Sequence, residues 1–176
     1  MSDLGECRAD RARPYPRWSR ALLLSAGFAF ISIALADPAP AKVRISGLSD
    51  VSFGTISNLT VDSVQSQSVC AYSNGSGQTY SVRADGSGAG GAFTLSSGSG
   101  TLAYGVRWNS QPGQSNGTAL TPGTSLGSQA TNAQNQLCSN GPPTTASLIV
   151  TLPATSLSSA TAGTYSGTLT IILAEE

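Results

Sequence analysis

Apolar and polar residues alternate with a period of two along most of the chain from residue 41 onward, the pattern of β-strands that bury one face. Ala41, Val43 and Ile45 fall on one side of a short run and Lys42 and Arg44 on the other, so a strand is predicted over 41–45. Gly47 to Asp50 interrupts it, and 51–56 resumes as a strand with Val51 and Phe53 together. Residues 58–63 read as an exposed connection. The next strand is expected over 67–72, centred on Cys70, with Ser73-Asn-Gly-Ser-Gly77 as a turn. Tyr80, Val82 and Ala84 point inward from 78–84, and the glycine-rich 85–91 is a flexible loop. Residues 92–95 and 101–108 form a hairpin across 96–100, the second arm placing Leu102, Tyr104, Val106 and Trp108 on one face. Residues 109–140 are irregular and polar, with a weak strand expected near 117–120. A strand over 145–153 puts Leu148, Val150 and Leu152 on one face and ends at Pro153, with a short turn over 154–160.

The closing stretch, 162–176, organises the rest. Tyr165, Leu169, Ile171 and Leu173 share one face and Thr164, Ser166, Thr168 and Thr170 the other. In an antiparallel sandwich so apolar a last strand belongs inside a sheet, with neighbours on both hydrogen-bonding sides. If one neighbour is missing from this chain, another chain must supply it. No segment holds a helical period, and the expected fold is an all-β, immunoglobulin-like Greek-key sandwich lacking its last strand.

The N-terminus changes the domain picture. Five arginines between Arg8 and Arg20 precede an apolar run over 21–36 that ends in Ala34-Leu-Ala36. This reads as a secretory signal over 1–36, cleaved after Ala36; the competing reading is a membrane anchor, against which stand the small-residue cleavage pattern and the Asp37-Pro-Ala-Pro that follows. The domain is then 37–176, enough for one core. Its charges are four basic residues against six acidic, a net −2, and no basic cluster exists for nucleic acid. Cys7 leaves with the signal. Cys70 and Cys138 remain, and in an exported chain such a pair most simply makes a disulfide.

Catalytic chemistry finds little to work with. The chain has no histidine, which excludes Ser-His-Asp and Cys-His arrangements and any His-based metal site. Asp50, Asp62 and Asp85 sit among Gly, Ser and Asn as turn residues do, and nothing marks two of them as an acid–base pair. The run 85–91 lacks the following helix that a phosphate cradle needs. No enzyme, metal or cofactor is expected. Tyr104 and Trp108 are read first as core, with a ligand-stacking platform for sugars as the other reading. The Asn-X-Ser/Thr triplets at Asn58, Asn74 and Asn116 are expected by chance in so polar a chain.

Taken in order, Val51-Ser-Phe-Gly-Thr-Ile56, Ser68-Val-Cys70, Tyr80-Ser-Val-Arg-Ala84, Gly91-Ala-Phe-Thr-Leu95, Thr101-Leu-Ala-Tyr-Gly-Val106 and Ala162-Gly-Thr-Tyr-Ser-Gly-Thr-Leu-Thr-Ile171 resemble the spore coat protein U family. Its better understood members are archaic chaperone–usher pilus subunits. The resemblance implies an immunoglobulin-like fold without its seventh strand, a groove filled first by a periplasmic chaperone, and then by the N-terminal arm of the next subunit at an outer-membrane usher. It implies a structural role in a pilus or fimbria used in adhesion and biofilm, with transit through the periplasm to the cell surface or an extracellular fibre. Carried onto this chain, the groove edge is Tyr165, Leu169, Ile171 and Leu173, opposite 51–56, and Val43 and Ile45 are the donor-arm candidates within 37–46. Many major pilins place a cysteine after the donor arm, and here none lies between Cys7 and Cys70. Residues 41–45 are therefore either a donor arm or the domain's own first strand.

Two functions follow. One is a fibre subunit assembled by strand exchange, with a chaperone, an usher and neighbouring subunits as partners. The other is a non-polymerising secreted or surface binding module, such as a carbohydrate-binding domain or fibre-tip adhesin, using Tyr104, Trp108 and the 109–140 loop.

Overall fold

The computed structural model describes residues 42–98 and 100–176. The expected leader, 1–36, lies outside the described residues. Ten strands and one short helix follow in order: β1 (Val43–Ser46), β2 (Ser63–Ser73), β3 (Thr79–Gly86), β4 (Thr94–Ser97), β5 (Gly100–Ala103), β6 (Gly105–Asn109), β7 (Thr118–Ala119), β8 (Ser125–Ala130), β9 (Ala146–Leu152), α1 (Ala154–Ser159) and β10 (Leu169–Glu175). One sheet has the order β1-β2-β9-β6-β7, a second β10-β3-β8, and β4 and β5 form a separate hairpin. Every pairing is antiparallel. The all-β class read from the alternation is the class observed, and the two larger sheets make a sandwich. Among the described residues no helix is long and apolar enough to cross a membrane.

The core is built from the inward positions of both sheets. Val69 and Ala71 of β2, Val106 and Trp108 of β6, and Leu148 and Val150 of β9 meet Tyr80, Val82 and Ala84 of β3. β9 is central, flanked by β2 and β6, and nearly every one of its residues is buried. The sheets are tied at one point by chemistry as well as area. The Trp108 indole N–H donates to the Tyr80 hydroxyl across the interior at 3.1 Å, and the rings meet edge to face with centroids 6.3 Å apart. Phe93 and Tyr104 stack at 5.6 Å.

Cys70 and Cys138 form the expected disulfide, with Cα atoms 5.9 Å apart. It anchors the polar connection after β8 to β2 and forms a small second cluster with Ala133. Two buried threonines act beside it, where the β2–β9 ladder ends. The Thr131 and Thr145 hydroxyls donate to the Ala71 carbonyl at 2.6 and 2.8 Å, and Thr145 Oγ1 accepts from Ala71 N at 2.9 Å. A strand leaving its partner inside the protein must have its polar groups met in this way.

Several expectations change. Residues 51–56 form no ladder with any described strand, and Gly54 within them takes a φ of +62°. The run 101–108 keeps one buried face throughout yet divides at Tyr104, β5 pairing with β4 and β6 with β9. The region 109–140 contains β7 near the expected place, and also β8, which its sequence hides: Leu126 is its only large apolar residue. The turn after Pro153 is the six-residue α1. Leu157 anchors it in the core, and the Asp62 carboxylate accepts from Ala154 N at 2.8 Å in place of the capping side chain that Pro153 cannot supply.

Candidate functional site: an open strand edge and its cleft

Among the described residues β10 has a partner on one side only. Its residues pair in unbroken register with β3, from Leu169 opposite Gly86 to Glu175 opposite Tyr80, and no described strand joins its other edge. The burial pattern carries the same message. Val82 and Ala84 of β3 are fully buried, whereas Leu169, Ile171 and Leu173 are only half-buried although they face the same core. An exposed row of main-chain donors and acceptors beside half-covered apolar side chains is a template for another strand.

Beside this edge lies a cleft of about 1230 Å³. One wall is the segment from Leu48 to Ile56, the other the stretch from Ala160 to Leu169 together with Ile171. Leu148, Val150 and Leu152 of β9 form its floor with Leu102 and Tyr104. Phe53 and Ile56 rest on the core from the first wall, and Tyr165 from the second. Asp50 is the one charged residue of the lining. Both walls have main chain to spare: among the described residues, 48–62 make no hydrogen bond from main chain to the main chain of another segment, Ser49 being held by the Gln67 side chain, and of 161–167 only Ser166 does, paired with Ser96.

The expected site residues fall as follows. Tyr165, Leu169 and Ile171 line the cleft, and Leu173 lies further along β10, packed against the core. The Tyr165 hydroxyl bonds to the Thr161 carbonyl at 3.0 Å and to its hydroxyl at 3.1 Å, and the Thr161 hydroxyl holds the phenol's pKa below its ordinary value. Val43 and Ile45 belong to β1, opposite Ser73 and Ala71 of β2, and pack on the domain's own core. Tyr104 is on the cleft floor, stacked on Phe93, and burial pushes its phenol pKa up. Trp108 is 1% exposed and offers no face to a sugar. Tyr80, its hydrogen-bond partner, is pushed up to about 12 by burial, which outweighs the opposing effect of the Trp108 bond.

Sequence reasoning missed the part played by Gln67 and Asp62, polar residues whose partners lie 18 and 92 positions away and leave no local signal. Among the described residues no group of three or more His, Cys, Asp or Glu gathers to hold a metal ion. No protein-family model matches the chain, and no curated protein or solved structure matches it significantly.

Proposed function

We propose that this chain is an exported structural subunit of a surface fibre, assembled by donor-strand exchange in the manner of the pilus subunits it resembles. The observation that carries the reading is the unpaired edge of β10 beside an apolar cleft floored by the sandwich core. An extended segment of another chain completes such a site by pairing its backbone with the edge and directing alternate apolar side chains into the cleft. Strand order lends support. An immunoglobulin-like sandwich has sheets A-B-E-D and C-F-G; β1-β2-β9-β6 corresponds to the first and β3-β10 to C-F, which leaves the G position beside β10 without a described strand. On this reading the leader directs the chain to the periplasm, a chaperone there fills the cleft, and a neighbouring subunit replaces it at an outer-membrane usher, ending in a fibre on the cell surface.

The place of Val43 and Ile45 in β1 favours a variant of the second reading: a subunit that accepts a strand without donating 43–46, as a fibre-tip adhesin would. A sugar platform on Trp108 has no support from its burial.

The test is to export the full chain into an oxidising compartment without a chaperone and follow its size and thermal unfolding. Self-association and a low midpoint are expected, both relieved by a lysine-capped peptide of alternating valine and threonine. A stable monomer indifferent to the peptide would overturn the reading.

A further inference from the structure

The described chain has three Ser-Asn-Gly runs, 73–75, 115–117 and 139–141, and in each the asparagine is exposed. An Asn-Gly step is chemically weak, because glycine has no Cβ to shield its amide nitrogen from the carboxamide carbon of the asparagine before it. Local sequence cannot rank the three, but the fold treats them differently. At Asn74 the carboxamide oxygen accepts from Lys42 N, and Gly75 N donates to Ser73 Oγ at 3.3 Å, so nucleophile and target are each engaged elsewhere. At Asn140 neither contact is made among the described residues, and Gly141 takes a φ of +89°. At Asn116 the two groups are brought together. Gly117 N donates to Asn116 Oδ1 at 2.8 Å, which puts the carboxamide carbon one carbonyl bond beyond, and Arg107 Nη1 donates to the same oxygen at 2.6 Å. The Asn109 carboxamide holds the Asn116 main-chain carbonyl at 2.9 Å. Position 117 has to be glycine, since a Cβ there would lie 2.3 Å from the Trp108 carbonyl oxygen. Arg107 is set by its place in β6 opposite Ala119 of β7, and among the described residues it has no acidic partner.

We propose that Asn116-Gly117 is a self-modification site, at which Arg107 promotes conversion of Asn116 to aspartate through a cyclic imide. The Gly117 nitrogen gives its proton to hydroxide and bonds to Asn116 Cγ, and the oxyanion that forms on Oδ1 is met by the Arg107 guanidinium already bonded there. The carboxamide C–N bond then breaks, and its nitrogen takes a proton from water and leaves as ammonia. Water opens the imide at Cγ to give aspartate, or at the main-chain carbonyl carbon to give isoaspartate, so the net change is one water consumed and one ammonia released. The aspartate carboxylate stays beside Arg107 and turns a neutral acceptor into an ion pair. Isoaspartate lengthens the main chain by one carbon just ahead of β7, where Gly117 already lies close against Trp108. None of Arg107, Asn116 and Gly117 lines the cleft, so the site goes beyond the strand-acceptor reading and does not depend on it.

Ageing the exported full chain at neutral pH and mapping its peptides by mass spectrometry tests this, with isoaspartate read separately by enzymatic methylation. The amide-to-acid mass gain should accumulate at Asn116 about tenfold faster than at Asn74 or Asn140, a small part of what proximity can supply. In the reduced and denatured chain the three rates should converge, because only the shared Ser-Asn-Gly chemistry is left. Arg107→Ala should slow Asn116 about tenfold, the order for losing one hydrogen bond to a charged group, with Asn74 and Asn140 unchanged. Arg107→Lys keeps a cationic donor and should restore part of the rate. Arg107 is exposed, and thermal unfolding should show both variants folded as the wild type is. Conversion at Asn116 no faster than at Asn140 in the folded chain, or at the same rate in Arg107→Ala as in the wild type, overturns the site.

Discussion

Tyr80 and Trp108 meet in the middle of the sandwich, and the consequence is a pH dependence. A buried phenol held at about 12 keeps its proton in the fold while the unfolded chain releases it near the ordinary value of about 10. The folded state therefore binds more protons between those values, and stability present below pH ~10 falls as pH rises toward ~12, by roughly 2–3 kcal/mol. Denaturant unfolding across that range, followed by tyrosinate absorbance, should show this loss. Tyr80→Phe should remove most of the pH dependence while costing about 1–3 kcal/mol at neutral pH, because the Trp108 N–H is left buried without an acceptor. The Cys70–Cys138 bond has a different effect. It closes a separation of 68 residues, and reduction or a double Ser variant should lower unfolding free energy by about 4 kcal/mol in the chain-entropy account. The burial of Tyr80 and Trp108 was legible from alternation, and the disulfide from the cysteine count. The hydrogen bond between the two rings was not, since it depends on where two sheets cross.

At the scale of elements, the decisive feature is the unprotected edge of β10. From Gly163 to Ala174 there is no charge and no proline, the devices by which natural edge strands avoid pairing. Ile172, 42% exposed, faces away from the cleft. Ile172→Lys should therefore reduce self-association in a sedimentation experiment while changing the unfolding free energy by no more than about 0.5 kcal/mol, the usual range for surface positions. Ile171, on the opposite face, lines the cleft, and Ile171→Lys should abolish binding of the valine–threonine peptide, because its ammonium would sit among apolar side chains. The alternation of β10, β3 and β9 was plain in the sequence because each has a continuous apolar face. β8 was hidden because one leucine is all it needs at its place beside β3. The segment 51–56 has a strand's sequence and no strand's ladder, since hydrogen bonding requires a neighbour that the described chain does not place there.

For the molecule as a whole, the strand-acceptor reading makes stability depend on whether the cleft is filled. A strand that binds only the folded state should raise unfolding free energy by roughly 2.7 kcal/mol at a hundredfold excess over its Kd, and the melting temperature should climb with peptide concentration. Since Asp50 is the single charge of the lining, that affinity should change little with ionic strength, unlike a contact made by clustered charges. Titrations at low and high salt check this.

The sequence by itself determined the all-β class, most of the strands, the faces they bury, the disulfide partners and the importance of the closing strand. Each is a local pattern or a count, and side-chain periodicity follows directly from backbone geometry. Only the tertiary structure decided that no described strand joins the outer edge of β10, that Val43 and Ile45 lie in the domain's own sheet, that Trp108 is sealed inside, and that the Gln67 side chain bonds the Ser49 main chain. These depend on which strands become neighbours, and a two-residue period tells a strand which face to bury without naming the strand beside it.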